Sequence, residues 1–179
     1  MAQRDTHGLL ARPRFERPTR LLVVVAPFYR EIADALLAGA RAALDEAGAA
    51  HETVEVPGAL EIPTAIRLAA PSRQFDGYVA LGCVIRGETT HYETVCADSS
   101  RGLTLLGLQG HCIGNGILTV ENVAQAVVRA DPAGQDKGGG AADAAMHLVA
   151  LARRFDAPVR PLPQASFRVA DAGEDGGFA

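Results

Sequence analysis

Apolar positions along the chain keep two periods, and the periods alternate. Residues 21–25, LLVVV, are apolar without a break, as are residues 78–81, after which come Cys83, Val84 and Ile85. Continuous runs of this length predict strands buried on both faces of a parallel sheet. Between them the spacing changes. Ile32, Ala35, Leu36, Gly39, Ala40, Ala43 and Leu44 recur at steps of three and four. They mark one stripe of a helix over residues 31–47, closed by Gly48. Residues 51–56, HETVEV, more or less alternate and predict a shorter strand at the sheet edge. Pro57-Gly58-Ala59 breaks that strand, and helical spacing resumes over 61–70 until Pro71.

The alternation continues to residue 155. The strand over 78–85 stops at Arg86-Gly87, and a helix follows to about residue 106. Thr90 and Glu93 have the spacing of a capping box, and Thr89 is nearly as good a cap. Residues 111–120 predict a fourth strand, in which Gly114 and Gly116 mark a close backbone approach or a bend. A helix follows Glu121-Asn122 as far as Ala130. Asp131-Pro132-Ala133-Gly134 turns the chain, and Lys137 with Gly138-Gly139-Gly140 leads into a last helix over 141–155. Strands alternating with helices in this way require right-handed crossovers. The expected architecture is α/β: a three-layer α/β/α sandwich of the flavodoxin-like kind, its four parallel strands in the order 2-1-3-4. This domain spans 20–156. Residues 1–19 are polar, with Pro13 and Pro18, and are expected to be a flexible arm able to dock on, and add a strand to, a neighbouring subunit. Residues 157–179, rich in proline and glycine, are expected to be a disordered tail.

Composition narrows the function. The chain has 179 residues, 48% of them hydrophobic, enough for one substantial core. A net charge of -4 supplies no basic field for nucleic acid, and the lack of tryptophan argues against a base-stacking platform. Cys83, Cys96 and Cys112 are odd in number and match neither a disulfide framework nor a zinc site, so reduced thiols in a cytoplasmic protein are expected. The first residues hold no signal-peptide core, and no apolar run approaches a membrane span. No GxGxxG follows the first strand and no GxxxxGK[ST] occurs, which argues against an ordinary NAD or ATP enzyme.

In open α/β sheets, ligands collect beyond the carboxyl ends of the strands. The topology gathers Phe28 there after the first strand, Gly58, Ala59 and Glu61 after the second, and Gly87, Glu88, Thr89 and His91 after the third. Asn115 lies within the fourth strand. A helix N-terminus attracts an anion such as phosphate, Gly87 lets a ligand approach the backbone, and His91 exchanges a proton near neutral pH. Each residue has an ordinary alternative. Phe28 packs in a core or interface, Glu61 complements a helix dipole, Asn115 sits in a bulge, and Arg129, Lys137 and His91 are solvated. Their convergence at one edge favours a site. Pattern alone yields an anion site with one acid–base histidine and names no substrate.

Three segments carry a resemblance: VPGALEIP (56–63), GCVIRGETTHYE (82–93) and GNGILTVEN (114–122). In order and spacing they resemble the lumazine synthase family, over residues 21 to 155. The resemblance implies a transferase of riboflavin biosynthesis. It condenses 5-amino-6-ribitylaminouracil with 3,4-dihydroxy-2-butanone 4-phosphate to give 6,7-dimethyl-8-ribityllumazine, phosphate and water, without metal or organic cofactor. It implies that Phe28 stacks on the pyrimidine, that Gly58, Ala59 and Glu61 hold the ribityl chain, and that Val84 and Ile85 line the heterocycle site. Gly87, Glu88, Thr89 and Arg129 would take the phosphate, His91 would move protons, and Lys137 would neighbour the pyrimidine carbonyls. The family forms homopentamers, decamers or icosahedral shells with sites between subunits, Asn115 and Arg129 coming from the partner. Two residues depart from the family's habit: Asn115 replaces a frequent aromatic, and Glu88 replaces a small residue. They motivate an alternative reading, a low-activity paralogue that binds ribityl compounds or builds shells. A flavodoxin-like flavin carrier is a third.

Overall fold

The structure is a computed structural model and describes residues 10–156. The first nine residues of the expected arm and the tail from 157 onward lie outside the described residues. Four parallel strands, β1 (Arg20–Val25), β2 (Ala50–Glu55), β3 (Gly77–Ile85) and β4 (Ile113–Val120), pair in the order β2-β1-β3-β4. This is the predicted order, with the alternating strand at one edge. The crossovers are α1 (Arg30–Glu46), α2 (Glu61–Ala69, prolonged by a 3-10 turn) and α3 (His91–Leu108), and two further helices, α4 (Val123–Ala130) and α5 (Lys137–Asp156), follow the last strand.

Successive residues of β1 point to opposite faces, which is why an unbroken apolar run serves there. Leu21, Val23 and Val25 pack with Leu36, Leu44, Ala142 and Met146 under α1 and α5. Leu22 and Val24 pack with Ile62, Ile66, Leu103 and Leu106 under α2 and α3. Two cores therefore hold the sheet from both sides, and the three-layer expectation is met.

Glycine sets how closely α5 lies on its neighbours. A Cβ on Gly114 would stand 1.8 Å from Ala141 O, and one on Gly138 would stand 2.0 Å from Leu36 O. The glycines of β4 thus serve close approach, and β4 pairs with β3 residue by residue, so Asn115 sits in no bulge. The glycine run 138–140, expected to precede the last helix, lies inside its first turn. Asp136 explains this: its Oδ1 accepts from Gly139 N at 3.1 Å, capping α5 before the glycines.

Two further expectations are corrected. No side chain caps α3 at Thr90, so the predicted capping box does not form. Glu93 turns instead to Arg86, a stronger, charged donor. The segment expected to be a flexible arm is anchored over residues 10–19. Arg12 pairs with Glu46 of α1 and with Asp143 of α5, the latter at 2.6 Å. Arg153 donates to Thr19 Oγ1 at 2.8 Å and to Pro18 O at 3.1 Å, with its guanidinium 5.4 Å over the Phe15 ring.

Two glycine substitutions separate packing from helix propensity. Gly114→Ala is expected to lose about 1–3 kcal/mol, because backbone, not a flexible side chain, blocks the new methyl. Gly140→Ala meets open space and is expected to gain up to about 1 kcal/mol. Urea unfolding at matched protein concentration checks both; equal effects would contradict the close packing of α5.

Candidate active site

The carboxyl ends of β1 and β2 are level with each other, and β3 and β4 run four residues past them, from Leu81 to Ile85 on β3. Ala26 N donates to Leu81 O, Val56 N to Val25 O and Arg86 N to Val120 O, each at 2.9 Å. The loops that follow β1, β2 and β3 therefore start from one edge. They enclose a cleft of about 420 Å³. Phe28 and Tyr29 come from the first loop, residues 57–61 from the second, and Val84, Ile85, Gly87, Thr89 and His91 from the third, with Tyr92 and Val95 behind them.

Each wall has a local cause. Pro27 follows the buried end of β1, and Phe28 projects with 74% of its surface exposed, held edge-on to Tyr29 with ring centroids 5.1 Å apart. An aromatic face so exposed is available for a flat ligand to stack on. Pro57-Gly58 turns the chain from β2 into α2, where Glu61 N donates to Gly58 O at 3.2 Å. The Glu61 carboxylate folds back over Gly58; a Cβ there would stand 2.9 Å from its Oε2. Glu61 thus presents an acceptor at the cleft wall.

The third wall is the start of α3. Its N-cap residue, Thr90, makes no side-chain cap hydrogen bond. The nearest substitute is Thr89 Oγ1, which accepts from His91 N at 3.4 Å, the long limit of a hydrogen bond. Such a terminus keeps the partial positive charge that draws an anion. His91 opens the helix, exposed and lining the cleft. Cys83 closes the cleft floor; burial pushes its thiol up to about 11. Burial raises Tyr92 as well. Cys83 therefore remains a neutral thiol at neutral pH and makes a poor nucleophile.

Among the residues singled out from the sequence, the cleft unites Phe28, Gly58, Ala59, Glu61, Val84, Ile85, Gly87, Thr89 and His91. Glu88, Asn115, Arg129 and Lys137 do not line it in this subunit. Asn115 is exposed on β4, where its Oδ1 accepts from Ile117 N at 3.0 Å. Arg129 turns back to Gln125 O at 3.1 Å within α4. Lys137 is exposed at the start of α5. Tyr29, Cys83, Tyr92 and Val95 are lining residues that the sequence reading did not single out. Adjacency to Phe28 and His91 was the available signal for Tyr29 and Tyr92. Among the described residues, no group of three or more His, Cys, Asp or Glu is gathered as for a metal.

Residues 18–153 match the family model described as 6,7-dimethyl-8-ribityllumazine synthase. A 6,7-dimethyl-8-ribityllumazine synthase of Jannaschia sp. (strain CCS1) is 54% identical over 165 residues, covering 90% of this chain and 93% of that protein. One of Novosphingobium aromaticivorans is 59% identical over 136 residues, covering 76% and 98%.

The cleft thiol gives the first site test. At about pH 8 a thiol of this acidity is thiolate in only about one molecule in a thousand. Iodoacetamide followed by peptide mass spectrometry is expected to leave Cys83 unmodified in the native protein and modified after urea unfolding. Rapid native alkylation would contradict the buried, neutral floor.

Proposed function

The chain belongs to the 6,7-dimethyl-8-ribityllumazine synthase family, and from that premise we propose that the cleft at the ends of β1, β2 and β3 is where its two substrates meet. The reaction joins 5-amino-6-ribitylaminouracil to 3,4-dihydroxy-2-butanone 4-phosphate, with loss of phosphate and water. One observation carries the assignment. An exposed aromatic (Phe28), a hydroxyl acceptor (Glu61), a helix start and an acid–base imidazole (His91) line one cleft.

Phe28 stacks on the pyrimidine, whose other edge rests on Val84 and Ile85. Glu61 accepts hydroxyl hydrogen bonds from the ribityl chain, and Gly58 and Ala59 let that chain lie close to the backbone. The amides of Gly87, Glu88 and Thr89 hold the phosphate, together with the Thr89 hydroxyl. The Glu88 carboxylate points outward and only its N–H serves. The pyrimidine's primary amine attacks the ketone carbonyl; His91 passes protons as water and then phosphate leave and the ring closes. Fixing both reactants in one cleft removes much of the entropic barrier before any proton moves.

Asn115, Arg129 and Lys137 are supplied across a subunit boundary. What supports this is that none of them lines the cleft of its own subunit, and that Arg129 shares α4 with the exposed apolar side chains of Val123, Val127 and Val128. An apolar face of this kind is expected to be covered by another copy. Arg129 then clamps the phosphate through its planar fork. The assembly is a homopentamer or a multiple of one. Residues 20–156 form the working domain, and the protein acts in the cytoplasm. Among the described residues no helix is long and apolar enough to cross a membrane.

Mixing the two substrates with the protein and following lumazine absorbance and fluorescence tests the reaction. His91→Ala is expected to slow turnover by about a hundredfold or less, because alignment survives. Arg129→Ala is expected to be worse, since it removes the clamp on the phosphate. A dead His91 variant beside a healthy Arg129 variant would contradict the assignment of roles.

A further inference from the structure

The start of α3 lacks the side-chain cap that its sequence allows, yet it has to hold still if its amides and His91 are to work. One residue outside the cleft takes over that task. Arg86 follows β3 and precedes Gly87, and its backbone N–H closes the sheet on Val120 O at 2.9 Å. Its side chain does not line the cleft. Nη1 donates to Glu93 in the first turn of α3, and Nε donates to Glu121 at the end of β4 at 2.7 Å. The guanidinium lies 4.1 Å from the centroid of the Tyr92 ring. Tyr92 itself lines the cleft.

We propose that Arg86 is a positioning residue of this enzyme: it clamps the first turn of α3 to the end of β4 and so orients His91 and the phosphate-binding amides. The inference rests on the reading of the cleft given above. Isolated exposed ion pairs contribute little, and each of these carboxylates is more than half exposed. The difference here is geometric. One planar fork meets two carboxylates and one aromatic face at the same time, and a planar, five-donor group is the side chain able to do so. Two of the three partners, Tyr92 and Glu93, follow His91 directly in the chain, and Glu121 follows the last residue of β4. Arg86 also pairs with two carboxylates, one of them in the first turn of α3. Its pairing holds the Glu93 carboxyl below its ordinary range, so Glu93 stays ionised and bound through neutral pH.

Charge and orientation separate in a lysine variant. Arg86→Ala removes both. Arg86→Lys keeps the charge but reaches one carboxylate at a time and offers no plane to Tyr92. Arg86→Ala is expected to lower kcat about tenfold and raise the KM of the phosphate ketone, while the KM of the pyrimidine changes about twofold or less. Arg86→Lys is expected to recover the ketone KM and leave kcat low. Calorimetric binding of inorganic phosphate, about tenfold weaker in Arg86→Ala, gives a readout that needs no turnover. Unchanged constants in Arg86→Ala would overturn the proposal. So would full recovery of kcat by lysine, which would make Arg86 only a counter-charge, or loss of both KM values together with the melting temperature, which would make it structural. A wild-type chain that makes no lumazine would sink the function assigned to the cleft; Arg86 is then judged on phosphate binding alone.

Discussion

The central strand governs this structure. β3 is paired by β1 over Gly77–Leu81 on one side and by β4 over Tyr78–Ile85 on the other, and it is buried on both faces as far as Cys83. Nothing can bind against its middle, because its backbone groups are satisfied in the ladder and its side chains are in two cores. Chemistry is confined to where the strand runs out. The parallel register then brings the ends of β1 and β2 to the same edge, so that three loops far apart in sequence face one another. The cleft follows from strand pairing as much as from the residues that line it.

On the proposed function, one subunit provides at that edge half of a reaction chamber. It has the stacking surface, the acceptor for a polyol chain, the open helix start and the histidine. The guanidinium and ammonium groups proposed to complete the chemistry, those of Arg129 and Lys137, stand on α4 and α5. An apolar face on α4 and a charged clamp beside it are what an assembling enzyme needs: burial for association, and Arg129 delivered with it. On that proposal association and catalysis are coupled, and weakening the first is expected to weaken the second.

Much of this could be read along the chain, and the limits have physical causes. Unbroken apolar runs identified β1 and β3, because a strand buried on both faces has no polar side to display. The change from period two to period three-and-four located α1 and α2. Three motifs resembled one family, and residues of the first two, from Pro57 to Glu61 and from Cys83 to Tyr92, line one cleft, whereas Asn115 of the third does not. The failures are all long-range. The capping box at Thr90 is a sound local pattern, but Glu93 has a better partner in Arg86, which Glu121 holds from 35 residues away. The arm was expected to be loose because nothing nearby holds it; Arg12 is held by Asp143, 131 residues on. The glycine run resembled a linker because glycine disfavours helix. Close contact with Leu36 and the Asp136 cap outweigh that preference.

The most direct measurement is a crystal structure of the protein with inorganic phosphate and an unreactive ribityl pyrimidine. The expected density puts phosphate on the amides of Gly87, Glu88 and Thr89 with His91 beside it, the pyrimidine over Phe28, and the ribityl hydroxyls on Glu61. Phosphate elsewhere, or a pyrimidine that leaves Phe28 bare, would contradict the account.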